Sequence, residues 1–248
     1  MDPSHLPILV PLFLIVGVLY ASVGHAGASG YLAVMALVGV EATLMRPTAL
    51  AINLLVASIA LAQFARAGFF SWRLLWPFAA LSIPAAYFGA MIKVGPGTLR
   101  VSIGIVLLAS ALRMVWVAWR PASEVITPQA PAIGVGLACG AMIGFVAGLT
   151  GTGGGIFLSP LLLIFNWADT KRTAAIAPAF ILVNSIAALT ALSQEGWQPT
   201  PAIGVLALAA CVGGFIGAHF GSRRLGHRGL RVVLALVLAL ASAKLILS

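Results

Sequence analysis

The 248-residue chain is 61% hydrophobic and only 8% charged, with a mean hydropathy of +1.10. Soluble domains carry roughly a quarter charged residues, so this composition excludes a water-soluble domain and places the chain in a lipid bilayer. The formal charge of +9 is spread through short loops instead of forming a patch or stripe, which argues against a nucleic-acid partner and reads as a set of topology signals.

An apolar helix of about 20 residues crosses the ~30 Å hydrocarbon core. In chain order, spans are predicted over residues 6 to 24, 47 to 65, 74 to 92, 101 to 119, 132 to 150, 174 to 193, 201 to 220 and 232 to 247. The first is read as a retained helix, because Met1 to Pro11 has no Lys or Arg to form a signal peptide's positive n-region. Two shorter apolar runs, 31 to 40 and 155 to 167, read as half-helices. The expected fold is therefore an all-α polytopic membrane protein of about eight spanning helices plus two short broken or re-entrant half-helices. The longest polar connection, Arg120 to Pro131, separates a first transmembrane repeat (1–120) from a linker (121–131) and a second repeat (132–248). Trp72, Trp76, Trp116, Trp119, Trp167 and Trp197 gather near span ends as interface anchors. Cys139 and Cys211 fit neither a metal motif nor an evident pair and read as structural thiols.

The two repeats are visible in the sequence itself. Gly17, Gly24 and Gly27 recur as Gly144, Gly151 and Gly154, since 144 − 17, 151 − 24 and 154 − 27 are all 127. Farther on, Pro47, Asn53 and Gln63 match Pro178, Asn184 and Gln194 at an offset of 131, and Gly89-Ala90 matches Gly217-Ala218 at 128. Transporter halves are often related by a pseudo-twofold axis in the membrane plane, with substrate held by broken helices near the midplane. If residues 31 to 40 and 155 to 167 turn back, the halves are inverted, and of the 14 basic residues ten are cytoplasmic, leaving Arg46, Lys93, Arg100 and Lys244 outside. If those segments only continue the preceding helix, the halves are parallel and the division is nine to five. The positive-inside rule favours inversion.

Chemistry points to the glycine cassettes. Irregular backbone at membrane depth survives only where protein or a watery cavity covers it, so Gly24 to Gly30 and Gly151 to Gly155 should line a site. Half-helices beginning near Tyr31 and Ile156 would aim free N–H groups and positive dipole ends at the cassettes, an anion site that needs no buried cation. The alternative is that these glycines serve close helix packing, which is the reading for Gly17, Gly144 and Gly148. All five acidic residues, Asp2, Glu41, Glu124, Asp169 and Glu195, fall in predicted loops or at the terminus, which argues against a carboxylate or metal cation site. No residue pattern asks for a cofactor, and no paired acid and base, His cluster or activated Cys supports an enzyme.

Candidate substrate-binding residues are therefore Gly24, His25, Gly27, Ser29 and Gly30 from the first cassette, Gly151, Thr152, Gly153 and Gly154 from the second, and the symmetric pair Asn53 and Asn184. Ser58, Ser185, Thr190 and Ser193 add hydroxyls to the two Asn-bearing helices. His25 has a near-neutral pKa and could carry a proton with the anion, or it could be a hydrogen-bonded structural residue. Gln63 and Gln194 lie near helix ends and read as interfacial; His219 and His227 read as surface residues.

The second cassette, Gly-Leu-Thr-Gly-Thr-Gly-Gly-Gly-Ile-Phe-Leu-Ser-Pro-Leu-Leu from Gly148 to Leu162, resembles the glycine-rich signature of the sulfite exporter TauE/SafE family of membrane permeases. The first departs from it, with His25 and Ala26 before Gly27 and then Ala28, Ser29 and Gly30. The resemblance implies a multi-pass carrier of the bacterial inner membrane for sulfite, organosulfonates or related anions, with Gly24, Gly27, Gly151, Gly153 and Gly154 as motif matches. A carrier of another small solute such as a carboxylate, or a non-transport assembly subunit, is the competing reading, and homo-oligomerisation is left open by the sequence.

Overall fold

A computed structural model describes residues 5–93, 95–119, 130–194 and 196–223, together with positions 239, 243 and 246. The linker and nearly all of the predicted span 232–247 lie outside the described residues. So do Asp2, Glu124, Glu195, His227 and the basic residues Arg120, Arg224, Arg228, Arg231 and Lys244. Among the described residues there are nine helices and no strand: α1 (Leu6–Ala21), α2 (Ala28–Val38), α3 (Ala42–Arg66), α4 (Trp72–Met91), α5 (Pro96–Trp119), α6 (Ile133–Thr150), α7 (Gly155–Ile164), α8 (Thr170–Gln194) and α9 (Pro201–Arg223). Five of them, α3, α4, α6, α8 and α9, are long and apolar enough to cross a membrane. The 25 residues of α3 and of α8 each extend about 37 Å at 1.5 Å per residue.

Glycine ladders hold the bundle together. Gly136, Gly140, Gly144 and Gly148 recur every four residues along one face of α6 and lie against Pro77, Phe78, Ser82 and Ala86 of α4. A Cβ at Gly140 would stand 2.0 Å from the Phe78 carbonyl oxygen, closer than any side chain can sit. On α9, Gly213, Gly217 and Gly221 meet Leu14, Val18 and Ser22 of α1 in the same manner, and Gly17 returns the contact against Ala210 and Gly214. Lipid tails are as apolar as Leu, so helices in a membrane associate through close backbone approach and packing, which small residues permit. Gly17, Gly144 and Gly148 are the packing glycines that their spacing predicted.

These contacts also set helix directions. Rising residue numbers on α6 meet rising numbers on α4, so the two run parallel, as do α1 and α9. The start of α3 lies beside the end of α4, through Arg46 and Ala90, and the end of α4 beside the end of α8, through Tyr87 and Gln194. At the opposite side of the molecule Lys171, at the start of α8, places its ammonium 5.0 Å from the Phe69 ring centre, just past the end of α3. The helices α3 and α8 are therefore antiparallel.

Several helix starts differ from the sequence expectation, two of them ahead of the asparagines. The helices α3 and α8 begin at Ala42 and Thr170, before the predicted 47 and 174, and Pro47 and Pro178 lie inside them. Proline lacks an N–H, so Pro178 leaves the carbonyl of Ala174 without its usual partner four residues on. Gly24 lies against that group: a Cβ there would be 2.1 Å from the Ala174 oxygen. Asn53 and Asn184 consequently sit near the middle of their helices, three turns or more from the N-termini, instead of one to two turns.

Replacing Gly140 by Ala forces a methyl group into the Phe78 carbonyl and is expected to lower unfolding stability in detergent by about 1–3 kcal/mol. Gly134, where a Cβ meets nothing within 4 Å, is the control; Gly134→Ala should leave stability unchanged or raise it. Equal effects of the two substitutions would contradict the packing role assigned to the ladder.

Candidate functional site

Each glycine cassette ends one helix and starts a short second one. In the first, α1 stops at Ala21 and α2 starts at Ala28; in the second, α6 stops at Thr150 and α7 starts at Gly155. The residues preceding the short helices, Gly27 (φ 95°) and Gly154 (φ 83°), are in the left-handed region, which a side-chain-bearing residue reaches only at a cost. No side chain caps either N-terminus, so the first-turn amides of α2 and α7, which have no intrahelical acceptor, are directed at the cassettes. Both stretches are fully buried, from Gly24 to Gly30 and from Gly151 to Ile156.

Each cassette makes contacts with the other half of the chain as well as with its own. His25 is 2% exposed; its Nε2 lies 3.2 Å from the Gly155 carbonyl oxygen and 3.0 Å from Ser159 Oγ on α7, while its Nδ1 lies 3.1 Å from the Val23 oxygen. Ser159 Oγ donates to the same Gly155 carbonyl at 2.9 Å. Gly153 sits under α3 and α8: a Cβ there would lie 2.9 Å from Asn53 Nδ2 and 3.1 Å from Ser185 Oγ. Asn53 Nδ2 donates to Ser185 Oγ at 3.5 Å. Thr152 Oγ1 pairs with Thr150 Oγ1 at 3.1 Å.

Other predicted residues have different surroundings. Ser29 and Gly30 lie in the first turn of α2, so the irregular backbone of the first cassette ends at Gly27. Ser29 Oγ donates to the Tyr20 hydroxyl at 3.1 Å. A Cβ on Gly30 would lie 2.5 Å from Val16 Cγ1, a helix-packing contact with α1. Gly27 faces the Tyr31 ring, whose buried hydroxyl has no partner. Of the four hydroxyls that the sequence singled out on the Asn-bearing helices, Ser185 is buried; Ser58 and Thr190 are exposed and bond back to Leu54 and Ile186 of their own helices, and Ser193 is exposed as well.

The most informative group is the pair of asparagines. Asn53 and Asn184 are 0% and 1% exposed, yet Asn53 Oδ1 and both amide atoms of Asn184 have no hydrogen-bond partner within the protein. Nearly all buried polar side-chain atoms in proteins are bonded, and leaving one unmade costs about 1–3 kcal/mol. Three such atoms fall on two residues that the repeat places at matching positions. Among the described residues no group of three or more His, Cys, Asp or Glu side chains could hold a metal ion.

Two residues of this region have no role in the sequence analysis. Arg46, counted there among the loop charges, is 6% exposed inside α3. Its Nη2 donates to Ala90 O at 2.6 Å and its Nε to Gly148 O at 3.1 Å. Both carbonyls lie in the last turn of a helix, where no amide four residues on can reach them, so one guanidinium caps the C-termini of α4 and α6 together. Its stem packs on Gly151, where a Cβ would be 2.7 Å from Arg46 Cγ. The cue in the sequence was a lone Arg one residue before a predicted helix start, which reads as a loop charge once Pro47 is taken as that start. Ser159 is the second; it stands within the quoted signature, but its link to His25 depends on a tertiary contact across 134 positions.

The sequence profile of the family described as sulfite exporter TauE/SafE matches residues 9–245. A relative from Sinorhizobium fredii, named "Probable membrane transporter protein y4hK", is 42% identical over 236 residues, covering 94% of this chain and 95% of its own. No solved structure matches.

Arg46→Met removes the shared cap and leaves the Gly148 and Ala90 carbonyls without it, an expected loss of about 1–3 kcal/mol of stability per unpaired buried group. Arg46→Lys, which can reach one carbonyl but lacks the fork, should recover part of that loss. A thermal midpoint for Arg46→Met within one degree of the parent would refute the capping role.

Proposed function

The chain belongs to the sulfite exporter TauE/SafE family of membrane transporters, and from that premise we propose that it carries a small sulfur-containing anion, such as sulfite or an organosulfonate, across the bacterial inner membrane by alternating access. The observation that carries this reading is the buried pair Asn53 and Asn184, in which Asn53 Oδ1 and both amide atoms of Asn184 have no protein partner and Asn53 Nδ2 stands against Gly153 of the broken-helix backbone. An anion leaving water must exchange its hydration shell for fixed dipoles. Asn Nδ2 groups and the first-turn amides of α2 and α7 are donors of that kind, and the helix termini add about half a positive charge each. Gly24, Gly27, Ser29, Gly30, Gly151, Thr152, Gly153 and Gly154 shape the two sides of this site.

The halves are inverted repeats in this reading. Antiparallel α3 and α8, and the matched pairings of α1 with α9 and α6 with α4, support it. Each pairing joins the first helix of one half to the fourth helix of the other. Because both cassettes are lined by the opposite half, rocking one half against the other alters the two sides of the site together.

His25 is the proton-coupling residue. A carbonyl only accepts, so Nδ1 carries a proton toward Val23 O. Nε2 then has two arrangements: protonated, it donates toward Gly155 O and Ser159 Oγ; neutral, it accepts from the Ser159 hydroxyl, which turns away from Gly155 O. Gain or loss of one proton thereby rearranges a contact between the first cassette and α7.

Sulfite, thiosulfate, sulfoacetate, taurine, sulfate and acetate, added in turn to the detergent-purified protein, test the substrate class. A ligand that binds only the folded state raises the thermal midpoint, by about 2.7 kcal/mol at one hundred times its dissociation constant. One sulfur anion should do so, and Asn53→Ala and Asn184→Ala should each weaken that response at least tenfold in concentration and slow uptake into vesicles. Normal transport by both variants would refute the site, and stabilisation by acetate alone would move the substrate to carboxylates. His25→Gln should flatten the pH dependence of transport; an unchanged profile would remove His25 from coupling.

A further inference from the structure

A cavity of about 310 Å³ opens between the C-terminal ends of α3 and α9 and is lined by Gln63, Arg66, Phe215, His219, Ser222 and Arg223 among others. Arg66 and Arg223 come from different helices, and among the described residues no acidic side chain lines the cavity. Gln63 Nε2 donates to the Phe215 carbonyl at 3.0 Å, bracing the two helices where the cavity begins. The His219 ring stacks on Phe215, with centroids 6.4 Å apart, and meets Phe220 edge-on.

The cavity lies at the end of an apolar groove. On α9, Leu208 and Phe215, seven residues apart on one stripe, are 68% and 58% exposed, and on α3 the residues Leu55, Ser58, Ala62 and Arg66 form a second exposed row. In a membrane transporter such stripes meet acyl chains, and cations where the stripes end stand at headgroup level.

The internal repeat provides a comparison within the molecule. Gln63 and Phe215 correspond to Gln194 and Tyr87, which are likewise in contact, through the Tyr87 hydroxyl and the Gln194 carbonyl oxygen. At that second corner Trp197 stands for Arg66 (66 + 131), Met91 for His219 (219 − 128) and Gly95 for Arg223 (223 − 128). The brace between helices is thus built twice, whereas the cationic lining is built once. Helix packing at this corner does not require the three basic side chains.

We propose that this cavity binds the phosphate headgroup of one anionic phospholipid, with Arg66 and Arg223 on the phosphate oxygens and an acyl chain along the Leu208–Phe215 stripe. The phosphodiester fits a site built from two guanidinium forks, a hydroxyl and an imidazole. A bound lipid bridges the free ends of α3 and α9, and α9 is the helix that packs on α1 just ahead of the first cassette. The assignment rests on the chain's being a membrane transporter and not on the identity of its substrate.

The full-length protein in mixed micelles tests it, with phosphatidylglycerol, phosphatidylcholine alone, or phosphatidylcholine plus millimolar inorganic phosphate. Phosphatidylglycerol should raise the thermal midpoint by about 5 °C over phosphatidylcholine at saturating lipid. Arg66→Gln with Arg223→Gln should abolish that rise and leave the phosphatidylcholine midpoint unchanged. Each single substitution, which keeps one guanidinium and guards against poor folding of the pair, should reduce the rise by about half. An equal rise in the parent and both single variants, or no rise at all, would overturn the site. A rise with inorganic phosphate matching that with phosphatidylglycerol would overturn the lipid assignment in favour of a soluble anion.

Discussion

In a hydrocarbon environment every backbone N–H and C=O must be satisfied from within the protein, and two interruptions of helical structure at membrane depth are the costliest features of this chain. The rest of the architecture accommodates them. Each break is covered in part by helices from the other half: Ala174 of α8 lies on Gly24, and Asn53 and Arg46 of α3 lie on Gly153 and Gly151, while Phe180 and Tyr31 close Gly154 and Gly27 from within their own halves. The glycine ladders of α6 and α9 belong to the same requirement, because they bring the first helix of one half within backbone contact of the fourth helix of the other.

The polar groups at these breaks divide into two kinds. Arg46 carries a full charge but directs it to the carbonyl ends of α4 and α6, where the two helix dipoles are negative. Asn53, which stands against Gly153, and the first-turn amides of α2 and α7 are neutral. A carrier must release what it binds. Neutral dipoles bind an anion more weakly than an unscreened buried cation would, and they avoid stranding a charge in the empty site. The proposed anion would meet neutral dipoles, and Arg46 acts by holding two helix ends in place.

Much of this was legible in the sequence, because membrane proteins express their constraints in composition. The apolar spans, the cassettes, the packing glycines and the matched asparagines follow from residue type and a constant spacing. The helix starts were only partly legible: Pro47 is read as the start of a span yet lies inside α3, and α8 begins at Thr170, four residues before the predicted 174, with Gly24 packed on the carbonyl that Pro178 leaves without its helical partner. That shift moved the asparagines to mid-helix and concealed Arg46. The His25–Ser159 contact and the Arg66–Arg223 cavity depend on pairs of residues more than 130 positions apart, which no local pattern records. Direction of transport and the identity of the anion depend on energies of a few kcal/mol that residue types alone do not encode.

The central claim is that both cassettes face one bound anion. Amide hydrogen exchange of the detergent-solubilised protein, with and without the sulfur anion that stabilises it, reports this directly, since the amides of Ala28, Ser29, Gly155 and Ile156 are those the anion would engage. The account predicts that peptides containing the two cassettes gain protection together and over the same range of ligand concentration. Protection of one cassette alone, or of neither while other helices respond, would contradict it.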